Sequence, residues 1–317
     1  MALGSAMSVC DVAVVGEIYA DHILSGFRRW PQPGEEALAS AYLRELGGGT
    51  VNTACGLARL GRSTRLICLI GESDRPWFAQ RLGQFQVRSD GLRSDPAGTG
   101  ITVSVSMPDH RAFFTYLGAN AQLDALLACA EVLQELCAAR HVHFAMPLSR
   151  ALAQTLLPAL AAAGCTTSLD VGFSPEWLAA PHNLITCREV DYFLPNQKEA
   201  ALLGCGDGAA ACRQWAQTLG LRHAAIKLGG AGAMAAGAAG AAGARRVAAP
   251  ALQVRDTTGA GDAFDAGFID ALLDGAGLDD CLRRACFCCA SCCAALGALD
   301  GLPDFDQLRN FNDSNES

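Results

Sequence analysis

Apolar and polar positions along the chain follow two alternating periods. DVAVVG (11–16) and RLICLIG (65–71) are short, nearly continuous apolar runs, whereas 51–60 and 76–87 repeat their apolar residues every three or four positions. The first kind predicts strands buried on both faces; the second predicts helices over Val51–Leu60 and around Pro76–Val87. The rhythm resumes with HVHF (141–144), a helix near Leu148–Ala162, TTSLDV (166–171), VDYFLP (190–195) with a helix after it, and HAAIKLG (223–229). Such alternation predicts an α/β fold, a mostly parallel sheet covered by helices on both faces, with ligands at the carboxyl ends of its strands.

Two regions break the rhythm. IYADHILSG (18–26), EALASAYLREL (36–46) and GITVSVSMPDHRAFFTY (100–116), the last with a turn signal at Pro108-Asp109-His110, read together as a small antiparallel β lid. Its segments are placed at about 17–24, 36–46 and 99–117, inserted in one domain spanning 11–310, with 1–10 and 311–317 as flexible termini. The Ala/Gly-biased stretch 229–246 is taken as a strand, a loose turn and a strand.

Composition narrows the partners. A net charge of -8 and a pI near 5.2 exclude a nucleic-acid surface or an anionic membrane as the main partner, since either requires a concentrated basic face. The N-terminal residues lack a basic region followed by a long apolar core, so no secretion signal is expected. ACFCCASCCAALGAL (285–299) is shorter than the roughly 20 residues a bilayer crossing requires. Of the 15 cysteines, Cys286, Cys288, Cys289, Cys292 and Cys293 fall on one predicted helix, where their side chains diverge; they are expected to pack as small hydrophobes in a reducing compartment, most simply the cytoplasm.

The chemistry concentrates in DTTGAGD (256–262), directly before an apolar-periodic run. A helix starting there offers unpaired N–H groups and the positive end of its dipole to a phosphate, and Gly259, Ala260 and Gly261 let the backbone approach a ligand closely. Asp262 would repel that phosphate unless it faces a bound alcohol and accepts its proton as the oxygen attacks in line. Read alone, Asp262 is equally well an N-terminal cap. Gly47, Gly48 and Gly49 precede a helix carrying Asn52, either as sugar contacts or as a tight turn, with Gly61 as its C-cap. Asp21 is either a solvated strand residue or an acceptor for vicinal hydroxyls. In LPNQKEA, Asn196 and Glu199 either reach a magnesium ion, directly or through water, or form a helix cap.

Together these stretches resemble the ribokinase-like (PfkB) carbohydrate kinase family. GEIYADHIL with PQPGE, GGGTVNTACGLARLG, PNQKE, IKLGGAGA and DTTGAGDAFDAGF occur in that family's order from about Asp11 to Leu308. The resemblance implies a three-layer ribokinase-like sandwich with a lid, and a kinase using ATP, Mg2+ and, in some members, K+. It implies Asp262 as catalytic base and the amides of Gly259, Ala260 and Gly261 as anion hole. Asp21, Gly48, Gly49 and Asn52 fall at the sugar, and Asn196, Lys227, Gly229 and Gly232 along the nucleotide. Glu199 falls near magnesium, and Asp256 and Thr258 at a monovalent cation. The helix with Cys288, Cys289 and Cys292 is expected beside the adenine.

Departures from the family pattern bear on the substrate. Thr50 stands where a smaller residue is usual, Gly49 where ribokinases carry Lys, Met146 and Pro147 where they carry a sugar-contacting Glu, and Gly172 where many relatives have Asn. The expected acceptor is a primary hydroxyl of a furanose, a ketohexose or a keto-sugar acid. Two alternatives stand beside it: a nucleoside kinase, with Tyr19, Phe114 or Tyr116 stacking on the base, and a non-catalytic sensor on the same fold. A homodimer through the lid edges is also expected.

Overall fold

A computed structural model describes residues 10–27, 29–106, 111–172, 174–237 and 244–316. The turn at Pro108-Asp109-His110 and the first nine residues lie outside them. Thirteen strands are present among the described residues: β1 (Cys10–Gly16), β2 (Tyr19–Ser25), β3 (Ala41–Gly47), β4 (Thr64–Ile70), β5 (Leu92–Ser94), β6 (Gly100–Ser106) and β7 (Arg111–Tyr116). They continue with β8 (Ala139–Ala145), β9 (Thr166–Leu169), β10 (Tyr192–Phe193), β11 (His223–Lys227), β12 (Ala233–Ala236) and β13 (Arg245–Val247). The helices are α1 (Gly49–Arg59), α2 (Arg75–Gln84), α3 (Leu123–Leu127), α4 (Ala130–Cys137), α5 (Arg150–Ala162) and α6 (Pro175–Ala179). After them come α7 (Leu184–Glu189), α8 (Gln197–Leu202), α9 (Ala209–Leu219), α10 (Ala260–Leu273), α11 (Leu278–Cys293) and α12 (Phe305–Glu316).

The main sheet has nine strands in the order β13-β12-β11-β10-β9-β8-β1-β4-β5. Its pairs are parallel except β11 with β12 and β12 with β13, which form an antiparallel edge. In β1 the period of two splits the side chains: Ala13 and Val15 join the core under α4 and α5, while Val12 and Val14 join that under α1, α2 and α10. Both faces are therefore covered, which is why DVAVVG reads as a continuous apolar run.

The lid sheet runs β3-β2-β6-β7 and is mixed rather than purely antiparallel. β2 and β6 pair in parallel, from Tyr19 opposite Gly100 to Ser25 opposite Ser106. Both strands leave the main domain just beyond a strand of the main sheet and so point the same way; β3 and β7 return antiparallel to them.

Several elements differ from the pattern-based reading. The short β5 and α3 carry too few residues to show a period, whereas α4, also outside the expected elements, does show one, with Val132 and Leu136 buried four positions apart. Residues 311–316 continue α12, whose Phe311 stacks on Phe287 with ring centroids 4.3 Å apart. Helices α1 and α10 pack closely because Gly56 meets Ala266, where a Cβ on Gly56 would come within 2.8 Å of the Ala266 Cβ. Among the described residues no helix is long and apolar enough to cross a membrane.

Candidate active site

Helix α10 begins on Gly259, whose φ of 74° is left-handed; a Cβ there would lie 2.5 Å from the Ala298 Cβ, so glycine is required on both counts. The Ala260 N–H donates to Thr257 O at 3.3 Å, so one of the three amides expected in the anion hole serves the turn in this structure. Asp262 stands in the first turn and borders a cavity of about 240 Å³ together with Glu17, Tyr19, Gly48, Gly49 and Asp170. Burial pushes its carboxyl up to about 6; a hydrogen bond from Asn52 opposes that rise and the nearby Asp170 charge adds to it.

The three consecutive glycines at the end of β3 serve different contacts. A Cβ on Gly47 would fall 2.1 Å from an Asp21 oxygen, one on Gly48 would fall 2.6 Å from Glu17 O, and one on Gly49 would fall 3.0 Å from Asp262 Oδ1. The run thus makes room for two carboxylates as well as turning the chain into α1. Asn52 sits on the first turn of α1 and donates Nδ2 to Asp262 Oδ2 at 2.8 Å. Its Oδ1 is buried without a hydrogen-bond partner. Gly61 ends α1 as expected, with Gly61 N donating to Ala58 O and Arg62 N to Leu57 O.

Asp21 is not an edge residue. It lies on β2, inside the lid sheet, opposite Glu45 on one side and Thr102 on the other. Burial and the Glu45 charge raise its carboxyl to about 6 against a hydrogen bond from Thr102. Asn196 and Glu199 form a complete capping box on α8: Asn196 Oδ1 accepts from Lys198 N and Glu199 N, and Glu199 accepts from Asn196 N and Nδ2. Burial, with the Asp170 charge, lifts Glu199 to about 7.

Lys227 does not reach along the glycine loop toward a nucleotide. Its ammonium turns inward, bonded to Asp170 at the carboxyl end of β9 and to Asp265 Oδ2 on α10 at 2.9 Å. Gly261 passes over it, its Cβ position 3.6 Å from Nζ. Burial alone would lower the Lys227 pKa, but the two carboxylates outweigh it and the ammonium is held charged. Burial opposes ionisation of Asp170, yet Lys227 brings it down to about 2, whereas burial raises Asp265 well above the carboxylate range. Carboxyl oxygens of Asp170, Asp262 and Asp265 lie within 4.8 Å of one another, a grouping that would suit a divalent ion, but here the Lys227 ammonium is bonded to two of the three. Asp170 and Asp265 were not singled out from the sequence; the signal was an acid at a strand's carboxyl end and a second acid three residues after Asp262 on the same helix. Beneath them, His143 Nε2 is 3.9 Å from Asp265 Oδ2, and Ser168 Oγ joins His143 to His141. Burial lowers both imidazoles, to about 3 and about 4 respectively, so both are neutral.

Asp256 and Thr258 form a turn: Thr258 donates N–H and Oγ1–H to Asp256 Oδ1, and Gly297 N donates to Oδ2. Cys288 faces Gly267 of α10, and Cys292 Sγ donates to Thr258 O and Ala298 O, so these two side chains look into the core. Gly229 and Gly232 flank a short 3-10 turn between β11 and β12. A second cavity, of about 210 Å³, lies between α8, the start of α9 and the β11–β12 hairpin, away from Asp262.

A buried carboxyl beside a helix N-terminus, at the mouth of a parallel sheet, can take a proton from an alcohol while the helix N-terminus holds a phosphate. The sequence matches the pfkB family carbohydrate kinase pattern over residues 10–304. The chain belongs to that family. As a pfkB carbohydrate kinase it is 29% identical to a ribokinase of Arabidopsis thaliana, over 92% of this chain and 78% of that one. It is 30% identical to a fructokinase of Klebsiella pneumoniae, over 83% and 90% respectively. The structure of Arabidopsis thaliana ribokinase complexed with ribose and ATP superposes with a TM-score of 0.84 at 26% identity, covering 96% of this chain and 98% of that one.

Proposed function

We propose that this pfkB kinase transfers the terminal phosphoryl group of ATP to a primary hydroxyl of a small sugar or sugar derivative: a furanose, a ketohexose or a keto-sugar acid. The observation that carries the reading is Asp262, held by Asn52 at the wall of a cavity that also reaches the first turn of α1. Asp262 accepts the hydroxyl proton late, as the bond to phosphorus forms, and the amides of Gly259 and Gly261 face the transferring group, joined by that of Ala260 once it leaves Thr257 O. Asp21, Gly48, Gly49 and Asn52 surround the sugar, and closure of the lid excludes water. Asn196, Gly229 and Gly232 border the nucleotide.

Mg2+ is expected through water on Glu199, whose carboxyl stays close to the Asp170 charge although the capping box already uses both of its oxygens. That donor set fits a water-mediated contact better than direct ligation. A monovalent cation such as K+ near Asp256 and Thr258 belongs to the same reading; it would rely on main-chain carbonyls there, since Asp256 is committed to the turn.

The nucleoside alternative has less support. Tyr19 lines the cavity but donates its hydroxyl to Glu17, and Phe114 and Tyr116 are exposed. A sensor with no turnover has no use for an acid poised beside a helix N-terminus. The exposed Tyr42, Leu43, Phe114 and Tyr116 on the lid favour a dimer through this sheet. Fifteen unpaired cysteines favour a cytoplasmic setting.

The test is Asp262→Asn. Turnover of the accepted sugar should drop at least about a hundredfold while ATP still binds; full activity in the variant removes Asp262 as the base.

A further inference from the structure

The relatives of this chain include kinases of differently shaped sugars, and the charge lining the cavity narrows the choice. Three of its lining side chains are carboxylates, Glu17, Asp170 and Asp262, and among the described residues no Lys, Arg or His lines it. The hydroxyl donors on its wall are already committed: Tyr19 donates to Glu17 Oε2, and Ser174 to Val171 O. The Gly172 N–H is likewise bonded to Asp170 Oδ1. The nearest cation, Lys227, is locked behind the wall by Asp170 and Asp265.

A wall of acceptors is satisfied by a ligand that brings donors. Hydroxyl and ammonium groups do so; carboxylate and phosphate groups bring only acceptors and a like charge. The first turn of α1 offers a countervailing positive end at Gly49, equivalent to roughly half a charge. That is less than the combined charge of Glu17 and Asp262, the Asp170 charge being balanced by Lys227, and Asp262 Oδ1 already stands 3.0 Å from the Gly49 Cβ position.

We infer that the acceptor is a donor-rich polyol carrying no acidic group, uncharged or amine-bearing, and that Glu17 rejects sugar acids and sugar phosphates. The inference rests on the kinase reading of the same cavity and removes the keto-sugar acid from its candidates. Glu17 reads hydroxyl or amino groups through the oxygen that Tyr19 leaves free. Asp170, its charge balanced by Lys227, adds acceptor oxygens to the lining.

The experiment uses the purified chain with saturating MgATP and matched sets: a neutral pentose or ketohexose, its amino counterpart, its carboxylate and its monophosphate. ADP release should give kcat/KM for the neutral and amino members about a hundredfold above the acids. Glu17→Gln should narrow that gap about tenfold, chiefly by weakening use of the neutral members and easing entry of the acids. An acid or phosphate used as well as its neutral counterpart, or a Glu17→Gln variant with unchanged selectivity, overturns the inference while leaving the kinase reading intact. If no member consumes ATP, the kinase reading falls, and calorimetric binding of the same sets then decides the inference: an acid that binds as tightly as its neutral counterpart ends it.

Discussion

Asn52 Nδ2 donates to Asp262 Oδ2 at 2.8 Å, joining the first turns of α1 and α10 across 210 positions of sequence. The bond aims the carboxylate and favours its ionised form. Asn52→Ala should therefore lower kcat by about ten- to a hundredfold and move the acid limb of the pH–rate profile upward, with the KM for ATP little changed. A lower kcat with an unmoved limb would show that Asn52 only packs there.

The pH dependence follows from the raised carboxyl of Asp262. A base must be ionised, and one titrating at about 6 loses that form as pH falls through 6. At pH 5 about a tenth of the plateau kcat/KM should remain. Asp21 titrates in the same range, so the profile should be repeated in Asp21→Asn. If the limb vanishes there, it belongs to Asp21.

Stability should respond in the opposite sense. With a folded-state pKa raised from 3.8 to about 6, folded Asp262 binds its proton more tightly than the unfolded chain does. Its contribution to stability therefore falls as pH rises from about 4 to about 6, and its full cost is present above that. Asp262→Asn should show a Tm a few degrees higher at pH 8 and no advantage near pH 4, measured by thermal unfolding.

Lys227 is the most consequential buried charge. Lys227→Met leaves Asp170 and Asp265 without their cation and should cost about 3–5 kcal/mol, read by chemical denaturation. Adding Asp170→Asn should recover part of that loss, because the uncompensated charge is then gone. Independent, additive costs would contradict the pairing.

Gly49→Ala tests the fit between the glycine run and the base. The new Cβ would lie 3.0 Å from Asp262 Oδ1, so the carboxylate must shift by a few tenths of an ångström. Turnover should fall about tenfold or more with little change in Tm. Unaltered kcat would mean that the Asp262 position is not critical.

Local signals carried much of this protein into view. The continuous apolar runs of β1 and β4, the period of α1 and α5, the glycine before α10 and the Gly61 stop are each fixed by a few neighbouring residues, because dihedral freedom, capping and burial on two faces act at short range. So the layered fold and the place of Asp262 at a helix start were legible before any coordinates.

Only the assembled tertiary structure decided which way long side chains turn and what they meet. Lys227, next to the glycine loop in sequence, finds Asp170 and Asp265 because β9 and β11 flank β10 in the sheet and α10 brings Asp265 to the same ammonium. Asn52 spends its amide on Asp262, Asp21 is enclosed between Glu45 and Thr102, and the lid strands β2 and β6 pair in parallel. Each of these outcomes depends on desolvation and pairing among residues tens to hundreds of positions apart, and no periodicity along the chain encodes such partners.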